Sequence, residues 1–197
     1  MMRMKNYGSS RLMTAVVVGT ALLFLCHAAA RAQSLPTFRN RHAPLNARVN
    51  DLFGRLTETE KLSMLTGTGY TTQPIPRLGL QGIVFADAGL GVRGGGPSTS
   101  GPATAFPSGQ IMACSWDPSL FSSVGRVIGE EARNKGGGVQ IELGPGVNIN
   151  RTPTSGRDSE YYGEDPYLAA HLDVPFIEGL QSTGVGACVK HYACNNE

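Results

Sequence analysis

From about residue 80 onward, short apolar runs alternate with longer amphipathic stretches. Residues 83–86 (Ile-Val-Phe-Ala) form an apolar run of the length that makes a buried strand. Asp117-Pro118 then opens a helix, with Asp as N-cap and Pro at the first helical position. Leu120, Val124, Val127, Ile128 and Ala132 keep one face of it apolar, and Gly136 to Gly138 end it. Residues 139–143 are the next strand. Asp165-Pro166 repeats the opening, and Leu168, Leu172, Phe176 and Leu180 continue a helical pattern to Gly184. Residues 185–189 are a further strand. Pro175 falls inside that last helix, where it removes a hydrogen bond and clashes with the His171 carbonyl at a cost of about 3 kcal/mol. The sequence therefore predicts a kink there, or a helix in two pieces.

Upstream, residues 33–47 read as an irregular lead-in containing Pro36 and Pro44, followed by a short helix over 50–56. A second helix starts at Thr57, where Thr57 and Glu60 have the spacing of a capping box. Leu62 and Leu65 would face inward, and Gly67 would stop it. Residues 1–32 have the layout of an export signal: Arg3, Lys5 and Arg11, then an apolar stretch over 15–25, then Ala30-Arg31-Ala32. The apolar stretch is short for a bilayer span. Cleavage is expected near Ala32, giving a secreted or periplasmic protein with no stable membrane association.

Strand, helix, strand, helix, strand at this spacing predicts right-handed βαβ units and a parallel sheet in an α/β fold. Asp87 directly follows one strand, Lys190-His191 another, and the loop over 144–164, with Arg151, Arg157 and Asp158, a third. Active sites of barrel enzymes lie at these carboxyl ends. A doubly wound sheet would use the same ends, so the placement favours a barrel while leaving both open.

The net charge of +2 gives no reason to expect nucleic acid as a partner. After the leader, Cys114, Cys188 and Cys194 remain, an odd number. A Cys188–Cys194 bridge and buried free thiols are both open, and no Cys/His spacing suggests zinc. Nothing in the chain calls for a metal or cofactor. The Gly-rich run over 89–96 lacks the spacing of phosphate-binding loops, and suits close backbone approach to a substrate.

Asp87, Arg157, Lys190 and His191, with Arg93 as a further candidate, form a mixed-charge set on one face. Carboxylates accept from neighbouring hydroxyls while Arg and Lys donate to them, so such a set suits a sugar. A structural ion-pair network is the plainer reading. Lys190 at the end of an apolar strand needs a partner, and Asp87 is the natural one. Among Asp158, Glu160, Glu164 and Asp165, caps and loop-pinning ion pairs explain the charges better than a catalytic pair does. Asn150-Arg151-Thr152 matches a glycosylation acceptor, and is read as incidental.

Several segments together resemble glycoside hydrolase family 3. They are Asp87-Ala88-Gly89-Leu90-Gly91-Val92-Arg93, Ala105-Phe106-Pro107-Ser108-Gly109, and the run from Leu143-Gly144-Pro145-Gly146-Val147-Asn148 to Pro153. Gly156-Arg157-Asp158-Ser159-Glu160-Tyr161-Tyr162-Gly163-Glu164-Asp165-Pro166 follows, then Val189-Lys190-His191-Tyr192 and Asn195-Asn196-Glu197.

The resemblance implies a (β/α)8 TIM-barrel-like domain over residues 48–197, with only its N-terminal part present. It implies hydrolysis of terminal non-reducing β-D-glucosyl residues from β-glucosides or cello-oligosaccharides by retaining double displacement. Asp87, Arg157, Lys190 and His191 would hold the sugar. The nucleophilic aspartate and the acid/base are expected beyond Glu197, so the chain alone is expected to be inactive. Tyr192-Ala193-Cys194 after Lys-His argues against the family's N-acetylglucosaminidase branch. A β-xylosidase, an exo-β-glucanase and a non-catalytic sugar-binding protein stay as alternatives. Asp158, where the family often has Asn, adds a negative charge beside Arg157 that is available to pair with it.

Overall fold

The computed structural model describes residues 35–93, 101–135 and 138–195, which belong to two units, residues 1–57 and 58–197. Residues 1–32, read from sequence as an export signal, and Gly94 to Gly96, Gly136, Asn196 and Glu197 lie outside the described residues.

In the first unit a 3-10 turn, Thr37–Arg39, precedes helix α1, Leu45–Arg55. The helix begins at Leu45, directly behind Pro44 and earlier than the predicted Asn50, because nothing between the two breaks a helix. Phe38 is its anchor. The Phe38 N–H donates to Asp51 Oδ2 (3.0 Å), and the Arg39 and Arg55 guanidinium groups lie 5.4 and 5.9 Å from its ring centroid.

The second unit opens with α2, Glu58–Ser63, and a small antiparallel pair, β1 (Gly67–Thr68) with β2 (Thr71–Thr72). Leu62 and Leu65 do not face inward as expected; they are 59% and 82% exposed. The helix lasts six residues and ends before Leu65, too short to present a repeating apolar face. Glu60 is gripped by both Nε and Nη2 of Arg77, at 3.1 and 2.6 Å.

The main sheet is parallel, ordered β3 (Phe85–Asp87), β4 (Ile141–Leu143), β5 (Gly186–Ala187), with Asp87 opposite Leu143 and Ile141 opposite Gly186. β4 and β5 are cores of the longer predicted runs, while β3 starts later than predicted and runs one residue further, taking in Asp87. A short helix α3, Gly109–Ala113, and then α4, Pro118–Asn134, connect β3 to β4; α5, Pro166–Gln181, connects β4 to β5. Both long helices open as predicted: Asp117 Oδ1 accepts from Ser119 N at 2.8 Å and Asp165 Oδ1 from Tyr167 N at 2.9 Å. Spatial order follows chain order, and α4 and α5 pack on each other, the arrangement of consecutive βα units in a barrel.

The core lies between sheet and helices: Ala86, Val139 and Val185 against Phe121, Ile128, Leu172, Phe176 and Leu180. Phe121 takes the place predicted for Leu120, which is 40% exposed. The buried face of α4 runs through residues 121, 124, 125, 128, 129 and 132, and two of those positions are glycine. A Cβ at Gly125 would strike the Phe176 carbonyl, and one at Gly179 the Ser122 carbonyl. The helices therefore cross backbone to backbone. Pro175 does not split α5, which is one helix. The carbonyl it frees belongs to exposed His171, where solvent can satisfy it.

Candidate functional site

Asp87 ends β3, and its backbone N–H and C=O both pair with Arg93 (2.8 and 2.9 Å). That closes a tight loop through Gly89 and Gly91, whose φ of 120° and 123° suit only glycine. Lys190 follows β5. Its N–H donates to Pro145 O (3.0 Å), its C=O accepts from Val147 N (2.7 Å), and its Nζ donates to Asp87 Oδ1 at 2.6 Å. Arg93 Nε lies 3.7 Å from Asp87 Oδ2. The partner expected for Lys190 is the one it has, and one carboxylate faces two cations.

Arg157 caps a 3-10 turn, Asp158–Glu160. Such a turn eclipses positions i and i+3, so Glu160, and not Asp158, meets the guanidinium. Nε donates to Oε1 at 2.9 Å and Nη2 to Oε2 at 2.8 Å. This bidentate pair holds the Glu160 carboxyl below its ordinary range and raises Arg157. Arg157 Nη2 also lies 2.9 Å from His191 Nε2. Burial and the nearby Arg157 charge push the His191 pKa down. The His191 N–H donates to Asn148 Oδ1 (2.8 Å), and Nδ1 lies 2.8 Å from Tyr161 Oη.

The structure thus brings Asp87, Arg93, Arg157, Lys190 and His191 to the carboxyl ends of the parallel strands. It offers convergent donors and acceptors suited to a polyhydroxylated ligand. The one carboxylate of the set, Asp87, is engaged by Lys190 and Arg93, and the neighbouring Glu160 by Arg157.

Sequence reasoning passed over several groups. Asn148, Tyr161 and Asn195 became site residues only through the loop's fold. Glu142, the middle of β4, stands between Ala86 and Ala187 in register, is fully buried, and has no hydrogen-bond partner for either carboxyl oxygen among the described residues. Burial, then the Asp87 charge, raise its pKa to about 8, so it is protonated at neutral pH. A carboxyl in the middle of the strand expected over residues 139–143 was the available signal. Asp173 in α5 is likewise raised to about 7 by burial. Asn150 of the glycosylation match is buried, its Nδ2 3.4 Å from Asp158 O. Cys114, Cys188 and Cys194 are free and exposed, so neither a bridge nor burial holds.

Residues 46–197 match the model of the glycosyl hydrolase family 3 N terminal domain. This chain belongs to glycosyl hydrolase family 3. It is 43% identical over 174 residues to beta-glucosidase BoGH3A of Bacteroides ovatus, covering 84% of this chain and 23% of that protein. It is 40% identical to an exo-alpha-(1->6)-L-arabinopyranosidase of Bifidobacterium breve, over 72% of this chain and 20% of that one. The structure of beta-glucosidase 3B from Thermotoga neapolitana in complex with alpha-D-glucose superposes with a TM-score of 0.70 at 36% identity, covering 76% of this chain and 24% of that one. The chain thus spans about a fifth of the length of the curated relatives it matches.

Proposed function

We propose that this chain forms the sugar-gripping half of a retaining β-glucosidase acting on terminal non-reducing β-D-glucosyl residues of β-glucosides and cello-oligosaccharides. The observation that carries the reading is the Asp87 carboxylate clasped by Lys190 at 2.6 Å and Arg93 at 3.7 Å at the strand ends. Held there, its lone pairs are oriented to accept from adjacent ring hydroxyls. Arg157 and His191 supply further polar contacts. In double displacement a carboxylate attacks the anomeric carbon, an acid protonates the leaving oxygen, and water resolves the glycosyl-enzyme. The resemblance to the family implies that the nucleophile and acid/base of this reading are residues other than Asp87 and Glu160. The signal-like layout of residues 1–32 supports reading it as a secreted or periplasmic protein.

The test compares nitrophenyl β-glucoside, β-xyloside and α-arabinopyranoside with the 197-residue chain and with a chain extended to complete the barrel. The extended protein should favour the glucoside, and the 197-residue chain should show no turnover. The similarity to an arabinopyranosidase at 40% identity favours a second reading, a different pyranoside on the same grip. Faster cleavage of the arabinopyranoside would establish it. Turnover by the 197-residue chain, abolished by Glu160→Gln, would refute the half-site reading.

A further inference from the structure

Five side chains form one continuous line of hydrogen bonds behind the cations of the site. Asn195 Nδ2 donates to Tyr161 Oη at 2.5 Å, and Tyr161 Oη lies 2.8 Å from His191 Nδ1. His191 Nε2 lies 2.9 Å from Arg157 Nη2, and Arg157 grips Glu160 through Nε and Nη2. Tyr161 is 1% exposed, and its ring packs on Gly146, where a Cβ would sit 3.1 Å from ring carbons. The hydroxyl is therefore held in place by the fold.

Proton inventory decides how this line is polarised. A guanidinium has five N–H groups and no acceptor, so Arg157 Nη2 can only donate to His191 Nε2. Nε2 must carry the lone pair, and a neutral imidazole then carries its proton on Nδ1, which donates to Tyr161 Oη. The Arg157 count closes as well. Nε–H and one Nη2–H go to Glu160, and the second Nη2–H goes to His191. The two N–H groups of Nη1 are left, on a side chain that is 38% exposed.

We propose that Tyr161 and Glu160 are positioning residues for the sugar grip: Tyr161 Oη accepts from Nδ1–H and holds the His191 ring, whose tautomer Arg157 sets, and Glu160 aims Arg157 Nη1 at the ligand. This rests on the sugar-binding reading above, and makes Nη1 the guanidinium nitrogen that meets a sugar hydroxyl. Tyr161 acts through His191, and Glu160 through Arg157.

The experiment is a long-range 1H–15N NMR measurement of the His191 ring in the 197-residue chain at pH 7, with a glucose titration of the same samples. His191 is assigned by the resonances lost in His191→Asn. The expected wild-type state is protonated Nδ1 and bare Nε2. Tyr161→Phe deletes the acceptor of Nδ1–H; it should leave the tautomer in place, since Arg157 still donates to Nε2, but speed solvent exchange of the Nδ1 proton and raise the glucose Kd about tenfold. Glu160→Gln should raise the Kd by a similar factor while leaving the tautomer in place. A merely structural role for Tyr161 would change stability and leave the Kd of the folded variant unmoved. A wild-type ring protonated at Nε2, or a Tyr161→Phe variant with Nδ1–H exchange and Kd unchanged, would overturn the inference while leaving glucose binding intact. Absence of glucose binding by the wild-type chain, with the Nδ1–H tautomer present, would overturn the sugar reading and with it the purpose assigned to the relay.

Discussion

Replacing Glu142 with leucine should remove most of a pH dependence of stability that this buried carboxyl imposes. Its side chain is fully buried between two alanines in register, and neither oxygen has a hydrogen-bond partner among the described residues. Burial moves its pKa from 4.5 to about 8. The folded protein therefore keeps a proton that the unfolded chain releases between those values. Stability from this group is full below about pH 4.5 and falls as pH rises towards 8. The gap corresponds to about 5 kcal/mol in total, of which about 3 kcal/mol is lost by pH 7. Leucine has similar bulk and no charge to bury. Urea denaturation of wild-type and Glu142→Leu chains at pH 4.5, 7 and 9, followed by circular dichroism, reads the difference directly. The advantage of the variant should grow by about 5 kcal/mol across that range. Parallel stability curves for the two proteins would refute the assignment of Glu142 as a buried, unpartnered acid.

Gly179→Ala should lower stability by about 2 kcal/mol or more, because its Cβ meets the Ser122 carbonyl at the α4–α5 crossing; thermal melts at fixed pH check it. Asp165→Ala should cost about 1 kcal/mol through loss of the Tyr167 N–H cap, read in urea denaturation. Iodoacetamide applied under native conditions should label Cys114, Cys188 and Cys194 alike, by peptide mass spectrometry, since all three are exposed. A protected pair at Cys188 and Cys194 would contradict the free-thiol state.

The order of elements and the placement of the site were legible because each rested on a local signal. Asp-Pro dipeptides marked both long helices, and polar residues directly after apolar runs marked the strand ends. Distant geometry was less legible. The α4 face was misread at Leu120 because the contact surface is built on Gly125 and Gly129, which carry no hydrophobic signal of their own. The i,i+3 meeting of Arg157 with Glu160 depends on a 3-10 turn that composition does not announce. Tyr161 reaches His191 across thirty residues, a contact that only the folded loop creates. Glu142 lay in residues 139–143, read only as a strand, and nothing local showed that its side chain would be buried between neighbouring strands.

The central claim is that the Asp87 clasp and its neighbours hold a sugar. Its most direct test is a glucose titration of the 15N-labelled chain, comparing wild type with Asp87→Ala. The account predicts saturable shifts at the amides around Asp87, Arg157, Lys190 and His191, and a Kd raised at least tenfold in the variant, whose lost carboxylate leaves Lys190 without its acceptor. Shifts confined to other parts of the chain, or equal affinity in both proteins, would contradict it.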